Sequence, residues 1–146
     1  MGKTYFHRHN AETNNPMWIN KPTQEEARFA IQAGAIACTS NPTFAAKMLT
    51  SQADGELARR FLREAMAEGG SDNEAALLLQ RKLIKRLLDC FLPLWQAAPR
   101  REGFVSIQVD PHSETDADKI IAEALADLEL GPNVIAKIPV TSAGLV

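Results

Sequence analysis

Short apolar runs alternate along this chain with longer stretches whose apolar positions recur at helical spacing. "MWIN" (17–20), "AIACTSN" (35–41), "FVSIQVDP" (104–111) and "VIAKIPV" (134–140) read as four strands, each bounded by turn-forming residues. Between the first two, "KPTQEEARFAIQAG" predicts a helix. Thr23 is placed as N-cap, Glu26 three residues later completes a capping box, and Gly34 ends the helix. Phe29, Ala30 and Ala33 recur on one face of it. Residues 43–99 read as helical throughout. "TFAAKMLT" is a short piece, and "DGELARRFLREAM" sets Leu57, Phe61, Leu62 and Ala65 on one face. After a "GGSD" break comes a long helix with a Leu79, Leu83, Leu87, Phe91 stripe, which Pro93 is expected to kink or end. A last helix follows the third strand. Ser113 is its expected cap, and Ile120, Ile121, Ala124, Leu125 and Leu128 form its expected buried side. Residues 1–16 are polar with few apolar anchors and read as a surface lead-in; 17–146 read as one domain. Strands alternating with helices, extra helices lying in 43–99, predict an α/β fold with a parallel sheet and right-handed crossovers.

The polar residues inside those strands change the picture. Alternate residues of a strand share a face. By that parity Trp18 goes with Asn20, Thr39 with Asn41, and Ser106 with Gln108 and Asp110. Lys137 goes with Ile135, Pro139 and Thr141. Parallel strands covered on both faces normally read as unbroken apolar runs, so a polar residue in all four needs a cause. Ligand sites of α/β folds lie at the carboxyl ends of the strands, where Asn20, Asn41, Gln108 and Lys137 could converge. Each also has a plain structural reading. Either asparagine could simply end its strand, Gln108 could be a hydrogen-bonded core amide, and Lys137 could sit at a sheet edge. The chemical alternative for Lys137 is specific. Burial disfavours the ammonium, and a neutral amine can attack a carbonyl to form a Schiff base.

Composition narrows the classes. The chain has 146 residues, 45% of them hydrophobic and 23% charged, with a net charge of −2. Those fractions are globular rather than disordered. There is no basic stripe to imply nucleic acid or an anionic membrane, and no apolar stretch of spanning length. His7-Arg8-His9 lacks a partner cluster and reads as a solvated arm rather than a metal site. Cys38 and Cys90 lack ligand spacing and read as reduced and structural, in keeping with a cytoplasmic location.

Three segments, "TSNPT" (39–43), "FVSIQVDP" (104–111) and "NVIAKIPVTSAGL" (133–145), resemble the motifs of the transaldolase and fructose-6-phosphate aldolase family, in the right order and on the right strands. The resemblance covers 17–146. It implies a (β/α)8 (TIM) barrel, of which the four strands match the first four, so that the expected object is an N-terminal half-barrel. It also implies class I aldolase or transferase chemistry on sugar phosphates, in the pentose phosphate pathway, with no metal or organic cofactor. Carried over by position, Lys137 is the Schiff-base lysine and Asn41 binds substrate hydroxyls, with Thr39 and Thr141 lining the same site. Gln108 stands where transaldolases have a water-activating glutamate, as in the aldolase branch. Asn20 is the match to the family's acid/base aspartate on the first strand, and an amide cannot take a proton at neutral pH. A four-stranded piece leaves open edges, so either the C-terminal half or a second copy is the expected partner. The alternative to an enzyme is a non-catalytic, self-associating module. A deoxyribose-phosphate aldolase also carries a lysine on a barrel strand, but "TSNP" fits it poorly.

Overall fold

Four parallel strands in the order of the chain form the single sheet of the computed structural model, which describes residues 4–13 and 15–145. The strands are β1 (Trp18–Asn20), β2 (Ala37–Thr39), β3 (Val105–Gln108) and β4 (Val134–Lys137). The helices are α1 (Tyr5–Glu12), α2 (Gln24–Ala33), α3 (Thr43–Thr50), α4 (Gly55–Ala67), α5 (Asp72–Ala97) and α6 (Ala117–Leu128). Two short 3₁₀ turns, Pro111–Ser113 and Ala143–Leu145, complete the order.

The four strands and the α/β order agree with the sequence pattern, and the deviations have local causes. Residues 1–16 read as a polar surface lead-in with no element assigned, and residues 5–12 of it are helical. They form α1, whose first turn Thr4 and His7 close in a reciprocal capping box, and which buries no side chain. Asn10 Nδ2 donates to Gly34 C=O at 2.6 Å, and the Thr4 hydroxyl donates to Ala33 C=O, so the helix is held by polar contacts rather than by an apolar stripe. α2 keeps its expected Thr23/Glu26 capping box and its αL Gly34. A Cβ at Gly34 would lie 2.7 Å from the His7 amide, so the glycine also lets α1 approach. α5 runs through Pro93 to Ala97 rather than ending there. The cap of α6 is Asp116, not Ser113, which lies in the preceding 3₁₀ turn. β4 stops at Lys137 because its neighbour β3 offers paired residues only to Gln108.

The main core lies where α2, α3, α4 and α5 cover one face of the sheet. Cys38, Val105, Ile107 and Val134 point into it from the strands, and Leu79, Leu83, Leu87 and Phe91 meet them from α5. Each of those α5 side chains is at most 2% exposed, and such burial stabilises by about 1.5–3 kcal/mol per side chain. Cys38 is sealed here, and burial pushes its thiol up to about 12. A second cluster, Val109, Ile120 and Ala124, seats α6. The other three apolar residues expected on α6's buried side are not there: Ile121, Leu125 and Leu128 are 49%, 59% and 48% exposed. Phe29 of α2, grouped by its spacing with Ala30 and Ala33, is 73% exposed. Among the described residues no helix is long and apolar enough to cross a membrane.

Two residues fix where β4 begins. Asn133, 1% exposed, donates from Nδ2 to Leu88 C=O (3.1 Å) and Gly103 C=O (2.9 Å), while its own carbonyl accepts from Val105 N–H at 2.9 Å. Gly103 has φ +81°, and a Cβ there would meet the Trp95 amide at 2.2 Å. Together they tie the starts of β3 and β4 to α5 and set the register that carries Lys137 to its place.

Candidate active site

Register puts the polar strand residues side by side. Asn20 pairs with Thr39, Thr39 with Ser106, and Gln108 with Lys137. Residues paired across a parallel sheet share a face, so all five lie on the face opposite the helix-covered core. Ile135, the register partner of Ser106, joins them on that face and is half-buried.

At the centre of this face the Thr39 and Ser106 hydroxyls lie 3.1 Å apart. Ser106 is buried at 4% exposure and had not been singled out as a site residue; parity placed it with Gln108, and only the register shows that it faces Thr39. Ser40 was also missed. Its side chain points to the other face and donates to Ser106 C=O at 2.8 Å, and its own carbonyl turns toward the site and accepts from Lys137 Nζ at 2.6 Å. A main-chain carbonyl leaves no mark on a residue type, so no sequence signal could have found it.

Lys137 is half-buried at the end of β4. Burial holds its amine below the usual lysine range. Among the described residues no carboxylate forms an ion pair with it to restore the charged form. The Ser40 carbonyl orients the amine, while a full counter-charge that would keep it protonated is missing. Gln108, half-buried beside it, presents an amide that can hold a water or a hydroxyl by hydrogen bonds and cannot accept a proton.

Asn41 stands just past the end of β2. Its Oδ1 accepts from the Thr43 N–H at 3.0 Å and hydroxyl at 2.8 Å, shaping the start of α3. Its amide oxygen therefore serves the turn, as the plain reading had it, and its Nδ2 is the end that can donate outward. Asn20 is exposed on the edge strand and lines a groove with Ile19, Phe29, Ala33 and Lys47. Thr141 differs from expectation. It lies beyond the end of β4, where strand parity no longer applies, and its hydroxyl donates to Glu114 C=O at 2.7 Å and accepts from Gly144 N–H at 3.1 Å. The structure brings Asn20, Thr39, Gln108 and Lys137 onto one face and gives Thr141 a different partner.

The arrangement is an amine of lowered basicity on a strand end, held by a main-chain carbonyl and sharing its sheet face with hydroxyls and amides. Comparison with known proteins gives it a lineage. The family model described as transaldolase/fructose-6-phosphate aldolase matches residues 18–146. A transaldolase of Thermobifida fusca (strain YX) is 36% identical over 121 residues, which is 82% of this chain and 32% of that protein. Transaldolases of Saccharopolyspora erythraea and Kocuria rhizophila are 37% and 35% identical, each over 75% of this chain and over 29% and 30% of their own lengths. The chain thus spans about a third of the length of the curated relatives it matches. The family's fold is a TIM barrel, and a four-stranded parallel sheet with its helices on one face is consistent with part of one. With three motifs on the expected strands and a match reaching from β1 to the last residue, the chain belongs to the transaldolase/fructose-6-phosphate aldolase family.

Proposed function

We propose that this chain carries the nucleophile end of a transaldolase-like, class I aldolase or transferase site for ketose phosphates, with Lys137 as the Schiff-base lysine. One observation carries the reading. The amine of Lys137 is partly withdrawn from water at a strand's carboxyl end, with a carbonyl to aim it and, among the described residues, no carboxylate paired with it to hold its proton. In the neutral form it attacks the ketose carbonyl carbon. A C–N bond forms, the carbonyl oxygen gains protons and leaves as water, and an iminium remains. The bond between the carbons α and β to the iminium then breaks. Its electron pair moves into the iminium as an enamine, and the β-hydroxyl proton passes to a base, releasing an aldehyde. Adding the enamine to an acceptor aldehyde, or protonating it, and then hydrolysing the iminium frees Lys137 again. Thr39, Ser106 and the outward Nδ2 of Asn41 suit sugar hydroxyls, and Gln108 suits the water. Asn20 occupies the place of the base without being able to act as one.

Borohydride reduction in the presence of fructose 6-phosphate tests this. A covalent adduct, of the whole ketose phosphate or of its three-carbon remnant, is expected on the wild type and none on Lys137→Ala. An adduct that survives that substitution, or none on either protein, sinks the assignment.

A second reading rests on the exposed apolar residues at the sheet's two outer sides. Trp18 on β1 is 42% exposed, and Ile138 just past β4 is 41% exposed beside the open stripe of Ile121, Leu125 and Leu128. We propose a half-barrel that associates with a second copy. A twofold axis setting β4 of one copy beside β1 of the other, and the reverse, closes eight parallel strands into a ring without edges. Light scattering after size exclusion decides it: a dimer that Leu125→Glu dissociates supports the pairing, and a monodisperse monomer at tens of micromolar ends it.

A further inference from the structure

The ladder between β2 and β3 stops at a proline. Cys38 N–H donates to Phe104 C=O at 2.9 Å, and Ser40 N–H to Ser106 C=O at 3.1 Å. Continuing that two-residue step, the next donor is residue 42 and the next acceptor is Gln108 C=O. Residue 42 is Pro42, which has no N–H to give. The Gln108 carbonyl would thereby lose its ladder partner. Gln80, from the middle of α5, supplies one: its Nε2 donates to Gln108 C=O at 3.1 Å.

Nothing about the helix itself calls for an amide there. Gln80 is 5% exposed, between Leu79 and the Leu83–Ile84 pair on the face α5 turns to the core. Burying an amide costs about 1–3 kcal/mol unless it is hydrogen-bonded, so an aliphatic residue would serve packing alone at least as well. The bond it makes reaches further than the carbonyl. Gln108 C=O and Val109 N–H belong to one planar peptide unit. While the carbonyl faces Gln80, the N–H faces the other way and donates to Lys137 C=O at 3.3 Å. Gln108 is also the register partner of Lys137.

We propose that Gln80 is a positioning residue for the site. Its amide replaces the N–H that Pro42 lacks, fixes the peptide plane between Gln108 and Val109, and so sets the Gln108 side chain and the Lys137 backbone relative to each other. The inference rests on Lys137 being the nucleophile, but two of its readouts need no substrate. In Gln80→Met, the Val109 amide is expected to exchange faster while the Val105 amide, bonded to Asn133 at the other end of β3, keeps its protection. The Lys137 amine, followed by NMR of a lysine-labelled sample, is expected to titrate at higher pH as water enters. Borohydride trapping is expected to slow by about tenfold or more, since misplacement by about an ångström can cost up to about a hundredfold. Pro42→Ala in the Gln80→Met background returns a ladder N–H and is expected to recover protection at Val109. Equal loss of protection at Val105 and Val109, an unmoved Lys137 titration, or no recovery with Pro42→Ala overturns the proposal. A wild type that titrates as expected yet traps no adduct would instead remove the Schiff-base reading and leave the positioning role standing.

Discussion

The two faces of the sheet are built to opposite specifications from the same four strands. On one, Cys38, Val105, Ile107 and Val134 are sealed under α5 at 0–6% exposure. On the other, Asn20, Thr39, Gln108 and Lys137 are all at least partly open, with the Thr39 hydroxyl meeting that of Ser106 and the Lys137 amine meeting the Ser40 carbonyl. Because successive side chains alternate, a residue cannot change its role without changing its parity. The sealed face therefore determines the geometry of the open one: Asn133 and Gly103 lock the starts of β3 and β4 against α5, and Lys137 follows four residues later at the far end. Stability is concentrated on the first face and chemistry on the second.

The strongest way to break this division is to damage the sealed face. Phe91 is 0% exposed in the core, and Phe91→Ala is expected to cost about 3–5 kcal/mol through lost burial and the cavity left behind. Urea titration followed by far-UV circular dichroism measures it. If the two faces are as separate as they look, a truncation on the open face, such as Gln108→Ala, costs under about 0.5 kcal/mol in the same assay.

The next test sharpens the open face. Asn20 sits beside Thr39 in register but offers no proton acceptor at neutral pH. If the carbon–carbon step lacks only a base, Asn20→Asp is expected to raise the cleavage rate by about a hundredfold, the lower end of what a positioned general base supplies. Adduct formation at Lys137 should change little, because the attack precedes that proton transfer. Single-turnover release of glyceraldehyde 3-phosphate, measured beside borohydride trapping, separates the two. A rate unchanged by the carboxylate would show that Asn20 is placed away from the reacting hydroxyl.

How much of this could be read in the chain differs between the faces for physical reasons. The α5 stripe of Leu79, Leu83, Leu87 and Phe91 was legible because helical spacing and burial are the same fact. Lys137 and Gln108 were legible because polar residues break the apolar run of a buried strand. The α6 side chains misled: Ile121, Leu125 and Leu128 carry the same apolar signal as Ile120 and Ala124, and periodicity cannot tell a surface covered within this chain from one left open. Thr141 misled because parity assumes the strand continues, and pairing with β3 ends at Gln108. α1 was missed because its contacts are hydrogen bonds to the end of α2, which leave no hydrophobic period. Ser40's carbonyl and the link from Gln80 to Gln108 depend on backbone geometry and were out of reach, although Pro42 in the strand register is the clue from which the second could have been deduced.

The smallest expected effect bears on Lys137 itself, the point where the open face departs from ordinary surface. Burial holds its amine below the usual lysine value in the folded chain. Between the folded and the unfolded pKa, the unfolded chain binds the extra proton, so stability rises with pH across that window. Below the folded pKa the full penalty of keeping an ammonium there applies; above the unfolded value it is gone. Lys137→Met removes the titration while keeping a chain of similar length, so the variant's stability relative to wild type is expected to be greatest at neutral pH and to shrink as pH rises toward the ordinary lysine range. Met packing adds an offset that does not vary with pH. The pH-dependent part of the difference therefore belongs to residue 137 alone. Urea midpoints of the two proteins from pH 7 upward measure it. A difference that stays flat would mean that the Ser40 carbonyl offsets the burial penalty and that the amine on the open face is an ordinary surface charge, and one that grows with pH would mean that the carbonyl outweighs burial.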